Sequence, residues 1–263
     1  MSDVLIDTHA HLDFSQYDQD RSSIVYRAQE NNVKGIINIG IDLATSKKSL
    51  VLAKQYPNIY AAAGIHPHDA AQASDEDIQQ LKTLYSHHKV VAIGEVGLDF
   101  YRNYSPPEVQ KRLFRMFLDW AQGMQLPLII HTRDADDELL SILRSSGKTG
   151  WRGVVHCFSG DQKMADELLE MGFHISFTGT ITFKKSLSAS LVQNIPLKKL
   201  LLETDCPFMA PEPHRGKRNE PAFVNYIAQK IAEIKGISFD TVANTTTENA
   251  KRLFGIHLTD EWQ

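Results

Sequence analysis

The chain has 263 residues, 42% hydrophobic and 23% charged, with a formal net charge of −4. These totals fit an ordinary folded protein and exclude one that coats nucleic acid through a broad basic face, since that binding draws on many Lys and Arg contacts to phosphate. No apolar run approaches the roughly 20 residues of a membrane span, and two cysteines, Cys157 and Cys206, are too few for a disulfide framework. With no signal-like N-terminal region, a reduced cytoplasmic protein away from membranes is expected, and its scattered prolines suggest one domain over residues 1–263.

In chain order, the first apolar run is Val4 to Asp7, followed by His9 and His11. In an extended chain alternate residues face the same way, so these two imidazoles are expected on one face, able to converge on a metal. Alone, an HxH pair is more often a surface feature. Further strands are expected at Gly35 to Gly40, Ile59 to Gly64, Val90 to Glu95, Leu128 to His131, Gly153 to His156, His174 to Phe177 and Leu200 to Glu203. Runs such as GIINIG and VVAIGE are continuously apolar, as in strands covered on both faces. Helices are expected between them at Asp20 to Asn32, Ser46 to Tyr56, Ser74 to Ser86, Pro106 to Gln122, Asp134 to Ser145, Asp161 to Met171, Ser188 to Asn194 and Pro221 to Lys235. A ninth, Phe239 to Phe254, falls outside the alternation.

Eight strand–helix units predict an α/β fold, a (β/α)₈ TIM barrel with an extra C-terminal helix and its active site at the C-terminal ends of the strands. An open doubly wound sheet would bring a glycine-rich turn after the first strand, where this chain has His9 and His11.

Ligand-type residues fall at or just past those strand ends: His66 and His68 after the third, Glu95 on the fourth, His131 on the fifth, His156 on the sixth, and Glu203 and Asp205 after the eighth. Each has an ordinary explanation, such as a loop cap or a satisfied core histidine. Together they predict a metal site. His9, His11, Glu95, His131, His156 and Asp205 exceed what one tetrahedral ion can use, so two divalent metals bridged by Glu95 are expected, activating a water for hydrolysis.

Six ordered motifs, DTHAHLD (7–13), GIHPHD (64–69), GEVGLDF (94–100), HTRDA (131–135), HCFSG (156–160) and ETDCP (203–207), with RNEP (218–221), resemble the TatD family of metal-dependent hydrolases. The resemblance implies a TIM barrel and a magnesium-dependent deoxyribonuclease, and 3′-5′ exonuclease-like cleavage of single strands or frayed ends is expected. It implies one metal held by His9, His11, Glu95 and Asp205 and a second by Glu95, His131 and His156. Asp205 would accept the proton of the attacking water, and Glu95, Asp205 and His66 would form the catalytic set. His66, His68, Arg133, Glu203 and Arg218 would contact substrate.

Cations on the same loops, Arg102, Arg133, Lys184, Lys185, Arg215, Lys217 and Arg218, offer contacts to phosphate, and Tyr101, Tyr104 and Phe183 offer stacking to unpaired bases. DNA is the expected substrate, with RNA as a second class, for a monomeric enzyme. Two rivals remain: an amide or ester hydrolase such as a deacylase of aminoacylated RNA, and a non-catalytic scaffold. Four histidines suit Zn or Mn, whereas Mg prefers oxygen.

Overall fold

A computed structural model describes residues 4–102 and 104–259. Eight strands form one parallel sheet in sequence order: β1 (Leu5–Ala10), β2 (Val33–Ile39), β3 (Ile59–Ala63), β4 (Val90–Asp99), β5 (Leu128–Arg133), β6 (Gly153–Val155), β7 (His174–Phe177) and β8 (Leu200–Leu202). The sheet closes where Ala10 bridges Cys206, with His11 N donating to Cys206 O (2.9 Å) and Asp205 N to His9 O (2.9 Å). Asp7 strengthens that seam, since its carboxylate accepts from Thr204 N (2.9 Å) and Thr204 Oγ1 (2.6 Å).

Around the barrel run α1 (Arg21–Glu30), α2 (Leu43–Gln55), α3 (Asp75–Leu84), α4 (Pro107–Met124), α5 (Asp136–Ser145), α6 (Gln162–Met171), α7 (Ser188–Asn194), α8 (Val224–Lys235) and α9 (Phe239–Phe254). Their local chemistry explains the starts: Ser74 and Asp77 form a reciprocal capping box for α3, and Pro107 opens α4, where a missing N–H costs nothing. α8 is shorter than expected, because Pro221–Phe223 forms a separate 3-10 turn. Leu5, Ile36, Ile93, Val96 and Leu98 pack outward with helix residues such as Ile24, Phe114 and Phe117. Ile6, Ile37, Ala92, Ile129 and Leu201 pack inward with Leu253 and Phe254, so the end of α9 meets the barrel interior.

Strict alternation does not hold in two strands, and both departures serve the site. Leu5 and Ala10 pack in the same outer layer although an even number of residues lies between them, which strict alternation would put on opposite faces, and the pairing of β1 with β2 shifts register between Asp7 and Ala10. The same is true of Ile93 and Val96 in β4, where the register shifts against β5. An extra residue in a strand reverses which face the following side chains occupy. These shifts turn His9 and Glu95 into the barrel. β4 also continues four residues beyond its expected end at Glu95.

Candidate metal centre

The interior end of the barrel gathers six predicted ligands. His9 Nε2 lies 3.3 Å from His11 Nε2, 3.3 Å from Glu95 Oε2 and 3.7 Å from Asp205 Oδ1; His11 Nε2 is 3.9 Å from Glu95 Oε2 and 3.5 Å from Asp205 Oδ1. Four ligands about 2.1 Å from a tetrahedral ion stand roughly 3.4 Å apart, so these four atoms frame a space of the right size. Glu95 turns its other oxygen away: Oε1 is 2.9 Å from His131 Nδ1 and 2.8 Å from His156 Nε2, which are themselves 3.2 Å apart. One carboxylate thus faces two donor clusters.

Hydrogen bonds behind the rings set their orientation. His11 Nδ1 lies 3.1 Å from Ile39 O; a carbonyl only accepts, so Nδ1 carries a hydrogen and Nε2 is the nitrogen turned toward Glu95 and Asp205. His131 Nε2 lies 3.2 Å from Asp99 Oδ2, which aims Nδ1 at Glu95. Among the described residues, the buried Nδ1 atoms of His9 and His156 have no hydrogen-bond partner. Burial lowers the His9 pKa to about 4, helped by the neighbouring His156. Glu95 and Asp205 are desolvated as well, yet both are held below the usual carboxylate range, Glu95 by His156 and His66 and Asp205 by its contact with His11. Without a cation the centre thus pairs ionised carboxylates with imidazoles held toward the protonated form, His156 being raised, against burial, to about 9 by Glu95, while His9 stays neutral; binding a cation would release those protons.

His66 stands beside the second cluster, with Nε2 3.5 Å from Glu95 Oε1. Its Nδ1 accepts from His68 N (3.1 Å), placing the hydrogen on Nε2 and making His66 a donor. Burial holds its pKa well below the ordinary value, so it donates as a neutral ring. His68 Nε2 lies 2.8 Å from Asp99 Oδ2. Arg133 lays its guanidinium 3.8 Å over the Tyr101 ring, at the open end beyond β5.

Two predicted substrate contacts are placed differently. Glu203 is fully buried, accepts from Cys157 N (2.5 Å) and lies 3.8 Å from His156 Nδ1, grouped with His9 and His156 in the barrel interior. Burial raises its pKa to about 7. Arg218 is paired with Asp20 through both carboxylate oxygens (3.0 and 2.5 Å), donates to Gln16 O and lies over Tyr17, pinning the loop after β8 to that after β1. Arg215 lies over Phe183.

Asp99 was not among the expected site residues. It is 1% exposed, joins His68 to His131, and is itself fixed by Tyr101 N (3.0 Å) and Arg102 N (2.9 Å). Its signal was present in GEVGLDF, where period two carries Glu95 through Gly97 to Asp99.

Comparison with known proteins gives the family and the fold. Residues 6–255 match the family described as TatD related DNase. The chain is 45% identical over 255 residues to the uncharacterized metal-dependent hydrolase YabD of Bacillus subtilis, covering 97% of this chain and 100% of that one. It is 38% identical over 263 residues to the 3′-5′ ssDNA/RNA exonuclease TatD of Pectobacterium carotovorum, covering 95% and 99%. The crystal structure of YJJV, a TatD homologue from Escherichia coli, superposes with a TM-score of 0.91 at 32% identity, covering 98% of this chain and all of that one.

Proposed function

This chain belongs to the TatD-related family of metal-dependent hydrolases, and from that premise we propose that it is a two-metal nuclease trimming single-stranded DNA or RNA from the 3′ end. The observation that carries the reading is Glu95, whose two oxygens address separate clusters, His9–His11–Asp205 and His131–His156. The similarity to a named 3′-5′ ssDNA/RNA exonuclease supports the substrate class.

Divalent cations at such a centre supply Lewis acidity, polarising the phosphoryl oxygen and lowering the pKa of water. The protein's part is positional. His9, His11 and Asp205 would hold one cation, His131 and His156 the other, with Glu95 shared. Asp205, ionised at neutral pH, is available to take the proton of the attacking water. His66 offers its Nε2 hydrogen to a non-bridging phosphoryl oxygen without adding a full charge. Arg133, braced flat on Tyr101, meets the phosphate backbone at the opening, while the exposed rings of Tyr101 and Tyr104 suit unpaired bases.

The test is cleavage of a 5′-labelled single strand with Mg²⁺ or Mn²⁺, beside His131→Ala and Asp205→Asn. A ladder shortening from the 3′ end in wild type and losses of 100-fold or more in both variants, on the order of two catalytic decades, are expected. Full activity in both variants sinks the centre. Turnover of an aminoacyl ester far above that of the strand replaces the nuclease reading with a deacylase.

A further inference from the structure

Beside the metal centre, on the side of His11 and Asp205, stands an aromatic step that the mechanism above does not use. Phe14 stacks on the ligand His11, with ring centroids 4.7 Å apart and planes inclined at 23°. Phe208 sets its edge against Phe14 (6.2 Å, 75°) and against His11 (6.5 Å, 65°). Phe208 is 48% exposed, and the neighbouring Met209 is exposed as well.

That exposure is built in rather than left over. Phe208 N donates to Asp205 O (2.9 Å), Asn219 Nδ2 to Phe208 O (2.6 Å) and Asn219 N to Pro207 O (3.1 Å). Gly179 packs so tightly beneath the turn that a Cβ there would lie 2.2 Å from Met209 O. Met209 adopts φ +53°, a left-handed conformation unusual for a residue with a side chain. Backbone held this way by its surroundings is found preferentially where a side chain must be presented. A second aromatic surface, Tyr101 under Arg133 with Tyr104 against His68, stands with the His68–Asp99–His131 group. Aromatic faces therefore adjoin both clusters that share Glu95.

We propose that Phe208, backed by Phe14, is the stacking platform for one unpaired nucleobase next to the scissile phosphate, with Tyr101, its ring braced by Arg133, serving the base on its other side. This rests on the phosphodiesterase reading above and sharpens its substrate class. A base within a duplex has both faces covered by its neighbours, whereas an unpaired one has a face to offer. Every base presents such a face, so the platform selects for strandedness rather than sequence.

The test is a cycle between protein and substrate. A single strand and the same strand with an abasic residue on one or other side of the cleaved bond are compared in wild type, Phe208→Ala and Phe208→Trp. In wild type, kcat/KM is expected to fall about 5- to 150-fold on one of the abasic strands, the range of one base–aromatic stack. Phe208→Ala loses that factor on the intact strand and little more on the abasic one. Phe208→Trp keeps the base dependence. Metal-stripped wild type should also quench a 2-aminopurine at that position, and Phe208→Ala should not. Equal losses on both strands in Phe208→Ala overturn the platform. Bis(p-nitrophenyl) phosphate, a diester without a nucleobase, separates the two claims: if wild type with Mn²⁺ cleaves it while the losses are equal, the platform alone falls. If wild type cleaves neither diester nor strand, the phosphodiesterase reading fails and the platform with it.

Discussion

Asp99 Oδ2 stands 3.2 Å from His131 Nε2, on the opposite edge of the ring from the nitrogen that faces Glu95. A carboxylate behind a ligand histidine fixes its tautomer and orientation and raises its basicity. Against burial, Asp99 is the main influence holding the His131 pKa above its ordinary value. Asp99→Asn keeps the shape and removes the charge. Its affinity for one of two bound cations is expected to fall about 10- to 100-fold, while the His9–His11 side binds as before. Competition with a chromophoric chelator reads the two affinities; two unchanged constants would show that Asp99 is structural only.

Sharing of Glu95 sets a stoichiometry. With its oxygens directed at two clusters, Glu95→Gln removes an anionic ligand from both at once. Elemental analysis after dialysis against Mn²⁺ or Zn²⁺ is expected to show two equivalents in wild type and at most one in the variant. Two equivalents retained by Glu95→Gln would refute the shared carboxylate.

Much of this was legible in the sequence, and what was missed has a physical pattern. The strand count, the barrel and the convergence of His9, His11, Glu95, His131, His156 and Asp205 follow from apolar runs ending in ligand-type residues. Alternation in β1 correctly paired His9 with His11, but it does not reveal the register shift between Asp7 and Ala10 that accompanies their turn inward. Asp99 escaped because the apolar run was ended at Glu95, where the first charge appears, although the strand continues. Arg218 and Glu203 could not be placed, since a motif shows that a charge is near the site but not what it faces. Arg218 meets Asp20, a residue 198 positions away in the chain.

Gly97 tests how tightly β4 must lie on β5. It pairs with His131, has φ +146°, and a Cβ on it would lie 2.0 Å from His131 O. Gly97→Ala must push β5 away at its ligand, so loss of cation binding together with destabilisation by about 2–4 kcal/mol is expected. Gly123 in α4 has open space around it, and Gly123→Ala should instead stabilise by about 0.5–1 kcal/mol. Chemical denaturation of both variants checks the contrast; a Gly97→Ala protein as stable and as metal-competent as wild type would mean the strands can part locally.

His174 gives a pH dependence away from the proposed ligands. It begins β7, and burial lowers its pKa from 6.5 to about 4, with Lys199 adding to the effect and a backbone hydrogen bond at Gly153 opposing it. Below pH 6.5 the unfolded chain takes up a proton that the folded protein refuses. Stability from this residue is therefore complete above pH 6.5, declines as pH falls, and levels off below about 4. The full window corresponds to about 1–3 kcal/mol after allowing for partial exposure. His174→Gln does not titrate, and the other histidines respond alike in both proteins, so they cancel in the difference. Urea unfolding at pH 7 and pH 4.5 should show wild type losing about 1–3 kcal/mol more than His174→Gln, and equal losses in the two proteins would place the buried-histidine penalty elsewhere.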